Sequence, residues 1–428
     1  MATEYEQPSS DADDPTDGSD LSNLATILQG LGRADEAEPL ARRALAVAVA
    51  IYGADHPQVG ICLGVHAGIL RDLGRADEAE PLARRCVTIA EATYDSDHPE
   101  IAANLSNLVN ILLDLGRAHE AEPLARRALT IAEATHDSDH PTVALHVNNL
   151  AAVFRKTDRP REAEALGRRA LAIDEAAYGS DHPTVATSLC NLAAILQDLD
   201  RADEAEPLLR RALAIDEATY GADHPHVGNC LGILAGVLHD LFRSHEAEPV
   251  SRRSLAIDEA TYGSDHPEVA TGLGNLASIL QDLDRADEAE PLARRALAID
   301  EAAYGSDHPA IAIRVNNLAT VLFELGESSE AEALARRALA IDEASHGGDH
   351  PTVATRLSNL AIILQGLGRA DEAEPLARRA LAISEAVYGS DHPTVAICLE
   401  NLATLLRDLG RAREAKPLDR RARAIRKS

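Results

Sequence analysis

Residues 181–222 read DHPTVATSLCNLAAILQDLDRADEAEPLLRRALAIDEATYGA, and this stretch decides the fold. Val185, Leu189, Leu192, Ile195, Leu196 and Leu199 recur at three- and four-residue intervals, the spacing of a helix with one buried stripe. This is helix A. Asp181 stands where an N-cap is expected, and Pro183 falls in the first turn, where its missing N–H breaks no intrahelical bond. His182 reads as an exposed first-turn residue carried between them. A break at Asp200-Arg201, a place held by Gly in several other copies, precedes a second amphipathic stretch from Ala202 to Tyr220, stopped by Gly221. This is helix B. Glu206 and Arg210 form a pair four residues apart on its exposed face, worth a few tenths of a kcal/mol, about 0.2–0.5. Pro207, later than the ideal first position, predicts a slight bend or a later true start.

The pattern repeats. Asp-His-Pro begins at Asp55, Asp97, Asp139, Asp181, Asp223, Asp265, Asp307, Asp349 and Asp391, every interval being 42 residues. Asp13-Asp14-Pro15 lies one interval before Asp55 and opens a first, partly decayed copy. Two antiparallel helices cannot bury their apolar faces alone, so a fixed period of this length implies helix pairs stacked on one another. The expected architecture is an all-α, right-handed α-solenoid of about ten antiparallel helix-pair repeats over residues 13–428, starting near 13, 55, 97, 139, 181, 223, 265, 307, 349 and 391. Residues 1–12 are expected to be a disordered acidic tail. The basic end of the last helix, with Arg420, Arg421, Arg423, Arg426 and Lys427, can serve as its own cap.

The framework N-L-A…L-x-x-L-G-x-x-x-E-A-E…A-L resembles the tetratricopeptide repeat, and the longer unit with its YGSDHPTVA linker is similar to the variant of kinesin light chains and their bacterial relatives. That resemblance implies a scaffold holding a peptide or partner protein in a concave groove lined by helix A. Members that clamp an acidic C-terminal peptide need Lys or Arg there. This chain instead has Asp72, Asp114, Asp198, Asp240, Asp282, Glu324 and Asp408 near the end of helix A, with Arg71, Arg155, Lys156, Arg314, Arg356 and Arg407 as local exceptions.

Composition narrows the partners. Apolar residues make up 45%, with no Trp, three Phe and eight Tyr, which suits closely packed small helices and not an aromatic ligand pocket. The formal charge is −29, and residues 1–20 carry seven acids and no base. Nucleic acid and anionic membrane both select basic surfaces and are not expected partners. The N-terminus has neither a basic nor an apolar signal region, which predicts a cytoplasmic protein. Cys62, Cys86, Cys190, Cys230 and Cys398 form no CxxC pair and read as reduced packing thiols. No metal set, cofactor motif or tuned nucleophile is legible, so no cofactor and no enzymatic activity are expected.

The candidate site is an asparagine ladder, ten residues after each capping Asp: Asn23, Asn107, Asn149, Asn191, Asn275, Asn317, Asn359 and Asn401. An amide both donates and accepts, so a row of them can hold an extended backbone without reading its side chains. Resemblance to the family places this position on the groove, together with Asn110, Arg71, Arg155, Lys156, His239, Arg314 and Arg356. An alternative is that each Asn bonds to a neighbouring helix and fixes the packing. The ladder fails at Val65 and Ile233, which lie in the glycine runs Gly60, Gly64, Gly68 and Gly228, Gly232, Gly236. Either these runs are apolar contact points for a partner, or they let adjacent helices pack more closely. Cys62, Cys230 and Cys398 are spaced by 168 residues, which points to duplication of a four-repeat block. Ser188/Gly272, Cys190/Gly274 and Ala194/Ser278 distinguish two otherwise similar copies near the ladder, as a changing specificity surface would.

The sequence therefore predicts a non-enzymatic adaptor binding a polar or basic protein segment. Two alternatives stand beside it: a structural protein self-associating as a homo-oligomer, and a sensor array serving a separate nucleotide-binding signalling protein.

Overall fold

The structure, a computed structural model, describes residues 15–157 and 159–426, and within it the side chains from Gly18 onward. The expected tail over 1–12, the opening Asp13 and the terminal Lys427 lie outside the described residues. Twenty α-helices and no strands are found among those described. They alternate as helix A and helix B, from α1 (Pro15–Gly30) and α2 (Ala34–Tyr52) to α19 (Pro393–Asp408) and α20 (Ala412–Ile425). The stretch that opens the reading gives α9 (Pro183–Asp198) and α10 (Ala202–Tyr220). Pro207 lies inside α10, so the helix starts ahead of its proline and not after it. The chain divides into two compact segments, one up to His266 and one from Pro267.

Within each segment every helix A packs on its own helix B and on the helix B before it. Consecutive A helices, such as α5 (Pro99–Asp114), α7 (Pro141–Lys156) and α9, also approach one another, whereas the backbones of consecutive B helices do not. The A helices thus form the crowded side of each segment. An all-α solenoid follows from this order of contacts. The core is small side chains at close approach: Ala37, Ala79, Ala121, Ala163, Ala205, Ala247, Ala289, Ala331 and Ala373, one from each successive helix B, are all fully buried.

The corner between repeats is built differently from its reading in the sequence. The N-cap of α9 is His182 and not Asp181: its Nδ1 accepts the Thr184 N–H at 3.2 Å. The same contact is made by His56, His98, His140, His224, His308, His350 and His392 at 3.1–3.3 Å. Asp97, Asp139 and Asp181 instead accept from the preceding Ser hydroxyl at 3.0 Å. Each capping ring stacks on an aromatic ring four residues earlier, as Tyr94 does on His98 at 4.1 Å and Tyr178 on His182 at 4.5 Å. The stack fixes the ring plane, and the cap uses its edge.

The turn from helix A to helix B needs a left-handed residue, and Gly32, Gly74, Gly116, Gly326, Gly368 and Gly410 supply it. Asp200, Phe242 and Asp284 take the same conformation without glycine's freedom, and Phe242 does so with 93% of its surface exposed.

On the outer surface the helix B glutamates serve two repeats. Glu206 accepts from Arg210 at 2.7 Å with one oxygen and from Arg243 of the following repeat at 2.7 Å with the other. Arg243 in turn grips Glu246 through two bonds of 2.7 Å. Glu80 and Glu332 repeat the arrangement with Arg117 and Arg369, whereas Glu122 and Glu164 take both of their arginines on one oxygen.

A His98→Ala variant is expected to lower the stability of the array by about 1 kcal/mol, the usual worth of a helix N-cap, while Asp97→Ala costs clearly less. Urea unfolding followed by circular dichroism checks the order. An equal or larger loss from Asp97→Ala would return the cap to the aspartate.

Candidate functional site

Four ladder residues, Asn23, Asn107, Asn191 and Asn275, are exposed, and Asn149, Asn317, Asn359 and Asn401 are half-buried. Only Asn359 bonds within the protein, donating from Nδ2 to Asn316 Oδ1 at 3.0 Å. The remaining seven amides make no side-chain hydrogen bond among the described residues, so the fold does not consume them. Asn110, one helical turn further along α5, is half-buried and likewise unbonded. Near Asn401 a shallow depression is lined by Ser358, Ile362, Gln365 and Cys398.

The carboxylates at the end of helix A are bridged from one repeat to the next. Gln29 Nε2 donates to Asp72 at 2.7 Å and Gln197 Nε2 to Asp240 at 2.6 Å. Arg71 pairs with Asp72 at 3.1 Å and reaches Asp114 at 3.7 Å, and Arg155 reaches Asp198 at 3.5 Å. These two arginines therefore neutralise acids along the crowded side. Asp114, Asp198, Asp240, Asp282, Glu324 and Asp408 stay exposed, as does Lys156, and His239 is half-buried.

Arg314 and Arg356 are not groove residues. Arg356 is 8% exposed and donates from Nε to Asp342 Oδ2 at 2.8 Å. Arg314 donates from Nε to Asp300 Oδ2 at 2.9 Å and from Nη2 to Thr271 at 2.7 Å. A buried carboxylate on the inner face of helix B draws each guanidinium inward, because neither charge can be left without its partner in a dry joint. Gly274 leaves the room: a Cβ there would lie 2.7 Å from Arg314 Nη1.

The glycine runs are also occupied from within the chain. A Cβ on Gly64 would meet Cys86 Sγ at 3.5 Å, on Gly68 Gln29 Nε2 at 3.2 Å, on Gly232 Ser254 Oγ at 3.2 Å and on Gly236 Gln197 Nε2 at 3.0 Å. Val65 packs against Ala25, Ala37, Ala41 and Ile69, and Ile233 is half-buried. The small residues admit helix B: Cys86 Sγ donates to the Gly60 carbonyl at 3.1 Å and Ser254 Oγ to that of Gly228 at 2.8 Å. Helix packing accounts for these glycines.

Sequence reasoning missed the polar joints. Seven residues after each Asp of Asp-His-Pro, helix A turns a side chain into the joint with the preceding repeat: Cys62, His146, Ser188, Cys230, Arg314, Arg356 and Cys398. It meets the residue fourteen earlier in helix B and the residue two past the same position in the preceding helix A. Thus Ser188 Oγ donates to Asp174 at 2.6 Å and receives Asn148 Nδ2 at 2.8 Å, and His146 Nδ1 lies 2.8 Å from Ser106 Oγ. The variable Ser188, Cys190 and Ala194 are buried here, so their variation tunes joints and not an exposed specificity surface. A signal was present: polar residues fall on an apolar stripe, fourteen positions after an Asp on another.

Burial pushes the Asp174 and Asp300 carboxyls above the usual range, and Asp216, 3% exposed with no partner for Oδ1, up to about 6. Desolvation is the leading cause in each case.

The chain belongs to the tetratricopeptide repeat family, whose model matches overlapping windows from 20–92, 63–134 and 100–176 through 312–385 and 352–428. A putative kinesin light chain from Podosopora anserina with nearly identical TPR-like repeats is similar in structure at 26% identity, covering 49% of this chain and 99% of that one with a TM-score of 0.40. The apo quorum sensor NprR from B. thuringiensis is similar at 15% identity over 83% of this chain and 96% of that one, with a TM-score of 0.59. A Rap protein complexed with Competence and Sporulation Factor shows 13% identity over 93% and 99%, with a TM-score of 0.52. No curated protein sequence matched. No helix among the described residues is long and apolar enough to cross a membrane.

Two predictions follow from the joints. Arg356→Met is expected to destabilise the array by about 3–5 kcal/mol by leaving Asp342 buried and unpaired, and Asp342→Leu in the same chain to restore most of it. Denaturant unfolding of the two variants decides this. For Asp216 the folded pKa, about 6, lies above the unfolded value of 3.8, so its favourable term is present below the unfolded value and is lost as pH rises through about 6. Asp216→Asn should therefore stabilise the protein at pH 8 by about 1–2 kcal/mol and leave it little changed near pH 4. A gain that does not vary with pH would disprove the ionisation.

Proposed function

We propose that this chain is a non-enzymatic scaffold that binds an extended segment of another protein along the helix A face. The tetratricopeptide fold is suited to protein–protein interaction, and the Rap protein that shares it is complexed with a factor. One observation carries the finer reading: seven of the eight ladder amides are unused by the fold, although they recur at one position of helix A. An extended backbone has donors and acceptors in alternation, and an amide row can answer both. The exposed Asp240, Asp282, Glu324 and Asp408 beside the ladder favour a polar or basic segment, and the overall charge of −29 steers such a segment toward it.

Affinity capture with wild type and with a variant carrying Asn149, Asn191 and Asn275 changed to Ala tests this. Each lost hydrogen bond is worth about 1 kcal/mol, so the triple variant should bind the captured partner at least about tenfold more weakly. Binding should also weaken as salt is raised. Equal capture by both proteins removes the ladder from the site, and affinity that rises with salt removes the basic segment.

A further inference from the structure

The joint between the fifth and sixth repeats differs from every other described joint. Its inward position on α11 (Pro225–Asp240) is Cys230, and the residue it meets on α9 is Cys190. The same two positions hold Ser106 and His146 two joints earlier, and Asn148 and Ser188 one joint earlier, in both cases 2.8 Å apart. Register alone therefore sets the two sulfurs face to face. Both are free thiols, buried at 4% and 0% exposure, and Cys230 Sγ donates to the Leu209 carbonyl at 3.4 Å. The repeat supplies its own controls. Cys62 and Cys398 occupy the position of Cys230 at the 168-residue interval, but face Ser22 and Ser358 where Cys190 would stand, and Cys86 lies on a helix B. Cys190 and Cys230 are the one pair of cysteines at these two facing positions.

We propose that Cys190 and Cys230 are a redox modification site, closing to a reversible disulfide that staples α9 to α11 when the protein meets hydrogen peroxide. Cys190, the more exposed thiol, gives its proton to solvent as the joint opens, and its sulfur attacks one peroxide oxygen and expels hydroxide. The resulting sulfenic acid is attacked by the Cys230 sulfur, the S–O bond breaks, and the oxygen leaves as water with the Cys230 proton. Two thiols lose two electrons and one peroxide becomes two waters. The neighbouring Cys230 thiol and burial hold Cys190 protonated in the closed joint, so the reaction proceeds through local opening and its rate reports that opening. The staple lies directly beneath the ladder. Cys190 precedes Asn191, and Cys230 lies three residues before Ile233, so oxidation fixes the spacing of two adjacent ladder positions.

The test is treatment of the full chain with hydrogen peroxide, trapping of residual thiols with an alkylating agent, and non-reducing peptide mapping by mass spectrometry. The expected product is a Cys190–Cys230 cross-linked peptide, reversed by dithiothreitol, with Cys62, Cys86 and Cys398 alkylated. Slower amide exchange in α9 and α11 of the oxidised protein reads the staple itself. Cys190→Ser reproduces the natural Ser-facing-Cys joint at Cys62 and Cys398, so it should fold normally and lose the cross-link. Alkylation of Cys190 and Cys230 to the same extent as Cys62 overturns the proposal. So does a cross-link that forms in urea as readily as in the folded chain.

Discussion

A helix pair whose two members face each other still has apolar surface left over, and in this chain that surface is covered only by the next pair. Everything else depends on this. The covering contact is made by alanines, fully buried at one position of each helix B through the array, so backbones approach closely and any larger side chain at the joint must have its space made for it. Gly274 makes that space for Arg314, and Gly228 for Ile257, whose Cγ2 a Cβ would meet at 2.9 Å. The surface ion pairs of Glu206, Arg210 and Arg243 are regular, but each exposed pair is worth only about 0.2–1 kcal/mol. They set the angle of one repeat on the next more than they hold it there.

Much of this was legible in one repeat. Apolar spacing and Gly221 located the helix pair and the end of α10, because a stripe and a left-handed stop are local properties of the sequence. The capping histidine was not legible. Aspartate is the commoner cap, and only the stacked tyrosine four residues earlier holds the imidazole edge toward the helix. Arg314 and Arg356 failed for a related reason. A lone arginine on helix A reads as surface charge until the aspartate fourteen residues before it is known to face the same joint. The glycine runs were correctly seen as sites of close approach, but which backbone approached was a property of the stack and not of the run.

The ladder and the joints divide helix A between them. Side chains seven and nine residues past each Asp turn into the stack, and those ten residues past turn toward the crowded side, so neighbouring residues such as Cys190 and Asn191 have opposite duties. Variation in the first is answered by variation in the adjoining repeat, as Arg314 is by Gly274, where a Cβ would lie 2.7 Å from Nη1. Variation in the second has no such answer inside the protein. That is the difference between residues that specify the array and residues that the array presents.

Those polar joints also solve a problem that near-identical repeats create. Because the alanine seams are interchangeable, a chain emerging from synthesis could stack one helix pair on the wrong predecessor with almost no loss of apolar burial. The buried polar sets are not interchangeable. Arg356 finds Asp342 in its proper place, whereas the equivalent helix B position one repeat before the first of these aspartates, Asp174, is Ala132, and a guanidinium sealed against that methyl forfeits about 3–5 kcal/mol. Each joint thus works as a keyed lock that rejects the wrong neighbour, and the order of the repeats is written in the few residues that break their uniformity.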